Sequence, residues 1–242
     1  MNKIYKVIYF IEQNLLPGVM LFEFDDILTN TSYKVFSDIR KHWRIFNRWF
    51  VDSGPLTMSD VDSRKVFAMN EWLMKKEAIQ MNSKEYLSLQ LMIMSEMNKT
   101  VFSDYHFYDD MVPSKFAEST LMNKMYVDND NIKDIFIISR NHTDAQDTSK
   151  RNFIKRYFNH PKIHYLPVKF DERKSHVIKS NGIPWNMCIE NELIDIRDLA
   201  ENFDLDRKEF LIPHYGYNHI DPYLKTLIEG KGGILNYLEI VK

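Results

Sequence analysis

The chain has 242 residues, 44% of them hydrophobic and 14% aromatic, which is enough to bury a full core and excludes an intrinsically disordered chain. Its formal net charge of −2 offers no general attraction for nucleic acid. The single cysteine, Cys188, excludes an intrachain disulfide and fits a reducing compartment. It stands beside acids in NMCIEN and reads as a buried, inert thiol.

Residues 1–16, MNKIYKVIYFIEQNLL, lack a long apolar run and a small-residue cleavage site. They read as a helix or strand packed on the domain, not as a signal peptide. No stretch reaches about 18 uncharged apolar residues, so no membrane span is expected. The expected location is intracellular and cytoplasmic. Richness in Asn, Lys, Ile and Met fits an AT-rich genome, such as that of a virus or phage.

The first strand is GVMLFEF, residues 18 to 24. Four more follow: DIFIIS (134–139), KIHYLPV (162–168), WNMCIE (185–190) and EFLIPH (209–214). Apolar runs without polar alternation read as strands buried on both faces. Helical patterns lie between them. TDAQDTSKRNFIKRYFNH has Thr143 and Asp144 as capping candidates, with Phe153, Tyr157 and Phe158 on one stripe. Its basic cluster KRNFIKRYF reads as a solvated face. DERKSHVIKSNG ends at Gly182, a natural C′ residue. NELIDIRDLAENF spaces Leu193, Ile196 and Leu199 helically. EGKGG (229–233) lacks the Walker pattern and reads as a loop before a C-terminal helix. IPHYGYN (212–218) reads as a packed aromatic turn around Gly216, with His214, Tyr215, Tyr217 and Asn218 near the ends of the strands.

This alternation predicts an α/β fold, a Rossmann-like parallel sheet of about five strands with helices on both faces. Residues 31–130 differ. They hold long helical patterns, broken at Ser-Gly-Pro 53–55 and again at 81–85. They predict a helical cap insertion, leaving 1–30 and 131–242 as the α/β core.

In such a sheet, ligands bind beyond the carboxyl ends of the strands. The polar residues expected there are Glu23, Asp25 and Asp26, then Ser139, Arg140 and Asn141, then Glu190, Asn191 and Glu192. Lys174 opens the helix before the fourth strand. Acids on neighbouring strands suit a hard divalent cation, and a serine with a lysine suits phosphate oxygens.

LFEFDDILTNT, DIFIIS, ERKS and MCIENE, in that order, resemble the four motifs of the haloacid dehalogenase superfamily, most of whose members are Mg²⁺-dependent phosphohydrolases. The resemblance places Glu23 at the nucleophile position and Asp25 at the general acid/base position. It places Ser139 and Lys174 on the phosphate, with Lys174 a better match than Lys179. It implies a metal held by Glu23, Asp25, Glu190 and Glu192, and a helical cap between the first two motifs. Three positions depart from the family. Glu23 replaces an Asp, Asp26 stands where Gly is usual, and Asn191 replaces an acid. The extra methylene of Glu23 displaces its carboxylate by roughly 1 Å, and a shift of about 1 Å costs on the order of 10²-fold in rate.

Two functions follow from the resemblance and its departures. One is a Mg²⁺-dependent phosphatase for a small phosphorylated substrate, a nucleotide among the candidates. The other is a catalytically inactive binding or structural protein on the same fold, with a protein partner in a viral assembly.

Overall fold

The computed structural model describes residues 18–31, 34, 35, 38, 95–213 and 222–238. Residues 1–16, the helical patterns between 41 and 94, and His214, Tyr215, Tyr217 and Asn218 lie outside the described residues.

The described strands are β1 (Gly18–Phe22), β2 (Ile132–Asn141), β3 (Ile163–Lys169), β4 (Trp185–Ile189), β5 (Glu209–Pro213) and β6 (Ile234–Leu238). They form one sheet in the order β3-β2-β1-β4-β5-β6, and every pairing is parallel. The chain winds outward from β1 to β3, then returns to the other side of β1 for β4. The strand order therefore reverses between β1 and β4, and their carboxyl ends flank the crevice where such sheets bind ligands.

The two sheet faces follow from the period of two along each strand. Met20 and Phe22 of β1, with Ile135, Ile137, Met187 and Ile189, belong to one apolar cluster. Val19 and Leu21, with Ile138, Cys188, Phe210 and Ile212, belong to the other. Short helices α1 (Lys115–Ser119) and α2 (Lys124–Val127) cover the first face with α3 (Asp144–Tyr157), through Phe116, Tyr126 and Phe153. Phe102, Phe107 and Tyr108 pack there too, so residues that precede β2 share a core with the sheet. Helices α4 (Lys174–Ser180), α5 (Leu193–Asn202) and α6 (Pro222–Gly230) cover the second face through Ile178, Leu199 and Ile228.

Local signals behave as the residues dictate. Thr143 caps α3, its hydroxyl accepting from Gln146 N at 3.1 Å. Gly182, at φ 61, closes α4 by donating to Lys179 O at 3.0 Å while Ile183 donates to Ile178 O at 3.2 Å. Cys188 is buried.

The sheet has six strands where about five are expected, because the segment after Gly233 is a strand, not a C-terminal helix. ILNYL spaces Ile234, Tyr237 and Leu238 as a helix would, and a run this short does not distinguish the two by periodicity. As an edge strand it pairs with β5 alone among the described residues, leaving Ile234 and Tyr237 half exposed. The helix before it, α6, begins at Pro222, a residue suited to a first helical position. No helix among the described residues is long and apolar enough to cross a membrane.

Candidate active site

The alternation that sorts the core also sorts the polar residues beyond the strand ends. Glu23 continues the side of Val19 and Leu21, and Glu190 the side of Cys188. Both carboxylates thus face the helical layer that contains Lys174, the first residue of α4, and Asp195, in the first turn of α5. Ser139 continues the side of Ile135 and Ile137, facing α3 and its Lys150.

Two ammonium-centred clusters result. Lys174 Nζ donates to Glu23 Oε2 and to Glu190 Oε2 at 2.5 Å, and forms an ion pair with Asp195 Oδ2, 3.0 Å away. Arg140 supports the cluster from outside, donating to Asp195 Oδ1 at 2.6 Å. Glu190 Oε1 accepts from the backbone of Asn191 and Glu192, each at 3.0 Å. Lys150 Nζ, in the second cluster, donates to Asp25 Oδ2 at 2.6 Å, Ser139 Oγ at 2.8 Å and Arg140 O at 2.9 Å. The other oxygen, Asp25 Oδ1, accepts from Thr31 at 2.7 Å and Tyr108 at 2.8 Å. Ser139 links the clusters, donating to Glu23 Oε1 at 2.7 Å.

Both lysines are wholly buried, which is tolerable only because their charges are paired and their N–H groups satisfied. Lys174 also stands at a helix start, where the macrodipole disfavours a cation. Burial pulls its ammonium down, but Asp195, Glu190 and Glu23 outweigh that and hold it well above its ordinary range. For Asp25, burial pushes upward, yet the Lys150 charge and the bonds from Lys150, Thr31 and Tyr108 leave the carboxyl below its usual value. Glu190 goes the other way. Burial, with Glu23 and Asp195 beside it, pushes it up to about 8 despite Lys174. Burial and Asp195 likewise raise Glu192 to about 7.

Of the residues expected from sequence, Glu23, Ser139, Lys174 and Glu190 come together in one hydrogen-bonded group. Asp25 adjoins it through Ser139 Oγ, 3.3 Å away, but its shortest bonds are to the second cluster. Lys179 lies elsewhere, its Nζ 5.2 Å from the Phe203 ring centroid. Glu192 is the N-cap residue of α5, and its side chain makes no cap bond. Asp195, not Glu192, joins Glu23 and Glu190 in the group of acids whose oxygens lie within 4.8 Å of one another.

Lys150 corrects the expectation that KRNFIKRYF is a solvated face throughout. Lys150 is fully buried whereas Arg151 is half exposed. Its position three and four residues before Phe153 and Ile154 puts it on the apolar stripe, which is the signal that marks it. Asp195 carries the same signal, four residues before Leu199. His142, after Asn141, is stacked between Phe102 and Phe170 at centroid distances of 5.0 and 4.6 Å. Burial first, and Lys150 second, lower its imidazole to about 4, so it is neutral near pH 7.

The three acids supply hard oxygen donors of the type that Mg²⁺ takes. The position they enclose is filled by the Lys174 ammonium, which bonds one oxygen of each. In this arrangement the donor set fits an ammonium and does not fit a divalent cation.

No family model matches the chain, and no curated protein matches it in sequence. Solved structures do match its fold. A haloacid dehalogenase-like family hydrolase from Streptococcus pneumoniae superposes with a TM-score of 0.51 at 12% identity, covering 92% of this chain and 94% of its own. A protein assigned as a phosphatase from Clostridium difficile gives 0.51 at 14%, covering 92% and 95%. One from Bacteroides fragilis, assigned as a haloacid dehalogenase-like hydrolase, gives 0.50 at 11%, covering 91% and 97%. The chain has the haloacid dehalogenase-like fold.

Proposed function

We propose that this chain is a non-hydrolysing protein on a hydrolase fold, a binding or structural component whose former reaction site is closed by its own lysines. The observation that carries this reading is the Lys150 ammonium seated on Asp25. A general acid/base group must be free to exchange a proton with substrate or water. Asp25 instead spends one oxygen on Lys150 and the other on Thr31 and Tyr108. A carboxyl held below its usual range is also a poor proton donor to a leaving group. A protein partner then takes the place of a substrate, a viral assembly being one setting that suits the composition.

The test is release of phosphate from a panel of nucleotides and sugar phosphates with Mg²⁺. The reading expects wild type to be no faster than Asp25→Asn. Turnover by wild type that Asp25→Asn abolishes would contradict it.

A Mg²⁺-dependent phosphohydrolase acting on a small phosphomonoester, a nucleotide among the candidates, is the second reading. It is favoured by the hydrogen-bonded convergence of Glu23, Ser139, Lys174 and Glu190 in the order of the family's motifs. In it Glu23 is the nucleophile, Asp25 the acid/base, and Ser139 and Lys174 the phosphate ligands, with Glu190 and Glu192 serving the metal. It requires Glu23 and Asp25 both to leave their present partners, so it ranks second.

A further inference from the structure

We infer that Glu23 is a built-in anion, its carboxylate filling a cradle shaped for a tetrahedral oxyanion, so that deleting the side chain opens a binding site for inorganic phosphate. The observation is where the donors point. Glu23 Oε1 accepts from its own neighbours' amides, Phe24 N at 2.9 Å and Asp25 N at 3.1 Å, and from Ser139 Oγ at 2.7 Å. Glu23 Oε2 accepts from the Lys174 ammonium. Two successive backbone N–H groups and a hydroxyl on one carboxylate oxygen, with an ammonium on the other, form an anion-binding concavity. Here the anion is a side chain of the chain itself.

Glutamate suits this role through its length. The residue belongs to the strand end that supplies the two amides, and its carboxylate must fold back to reach them. Burial adds a reason for the cradle to be filled: Glu23 is 4% exposed, and empty amide donors at that depth would be costly.

Removing Glu23 leaves Lys174 with Glu190 at 2.5 Å and Asp195 at 3.0 Å, so the ammonium remains paired after one carboxylate is lost. The four donors lose their acceptor at the same time. An oxyanion entering the space of the deleted carboxyl and methylenes meets all four.

The experiment is titration of inorganic phosphate, slightly below neutral pH, into wild type, Glu23→Ala and Glu23→Val, by calorimetry and thermal shift. Glu23→Ala is expected to bind phosphate saturably and at least about tenfold tighter than wild type. Adding Ser139→Ala to Glu23→Ala is expected to weaken that binding by about tenfold. Glu23→Val, which also lacks the carboxylate but fills part of its space, is expected to bind more weakly than Glu23→Ala and more tightly than wild type. Wild type that binds phosphate as well as Glu23→Ala would overturn the inference, because the cradle would then be open already. A folded Glu23→Ala with no gain over wild type would overturn it as well. If Glu23→Ala does not fold, a folded Glu23→Val without gain does the same. Turnover by wild type would defeat the non-hydrolysing reading without touching this one, and a silent Glu23→Ala would leave that reading standing.

Discussion

Ser139 Oγ donates to Glu23 Oε1 at 2.7 Å while accepting from Lys150 Nζ at 2.8 Å, so one hydroxyl ties a lysine from each helical layer into a single network across the sheet end. Lys150 comes from α3 on one face, and Lys174, bound to the same Glu23, comes from α4 on the other. The carboxyl edge of β1 is thereby closed from both sides.

The Lys150–Asp25 pair is a stability element as much as a functional one. Removing Lys150 strands a carboxylate whose side chain is only 24% exposed. Breaking one partner of a buried pair costs about 3–5 kcal/mol, and the partial exposure puts Lys150→Met at about 3 kcal/mol. Asp25→Asn added to Lys150→Met recovers a large part of that loss. A denaturant-based double-mutant cycle measures the coupling, and independent, additive effects would count against the pair.

Glu190 sets the pH dependence. Its carboxyl sits at about 8 in the folded chain, against an ordinary 4.5. The folded state therefore holds more protons than the unfolded one between those values, and stability falls as pH rises through that window. Glu192, raised to about 7, acts in the same direction. Asp25 and Asp195 are lowered, so their contribution is present above 3.8 and is lost as pH falls below it. Melting temperature is expected to decline from about pH 5 to about pH 9 in wild type and to decline less in Glu190→Gln. A flat wild-type profile would refute the assignment.

Lys174 governs the response to divalent cations. With its ammonium on all three acids, wild type is expected to melt at the same temperature in Mg²⁺ and in chelator. Lys174→Ala leaves three buried acids without their cation and is expected to be destabilised, with part of the loss recovered by Mg²⁺ through preferential binding to the folded state. Recovery no greater than in wild type would count against the shared position.

Asp26 tests the turn after β1. It holds φ 59, the left-handed region that costs most L-residues about 1–2 kcal/mol and that Asp tolerates better than most. Asp26→Gly is expected to be neutral or stabilising by up to about 1 kcal/mol, and Asp26→Val destabilising by about 1–2 kcal/mol. Equal melting temperatures for the two variants would mean the turn relaxes to another conformation.

Much of this architecture is legible in the residues. Five strands stand as mostly apolar runs, although β3, at the sheet edge, is only half-buried and not covered on both faces, and the helix signals at Thr143 and Gly182 hold because capping is local chemistry. The sixth strand is not legible, because ILNYL fits two periods equally well. At the site, the strand ends announce Glu23, Ser139 and Glu190, since their place is fixed by register. Lys150 and Asp195 come from helices, and their partners are chosen by how those helices dock, which linear spacing leaves open. Their presence on apolar stripes, beside Phe153 and Leu199, is the trace such residues leave. The engagement of Asp25 by Tyr108 joins positions far apart in the chain and has no local signature at all.

The most direct test of a closed site is a crystal structure of wild type grown with inorganic phosphate and Mg²⁺. The account predicts the Glu23 carboxylate on the amides of Phe24 and Asp25, Lys174 on its three acids, and no oxyanion in the cradle. A phosphate on those amides, with Glu23 swung out and a metal on Glu190, would contradict it.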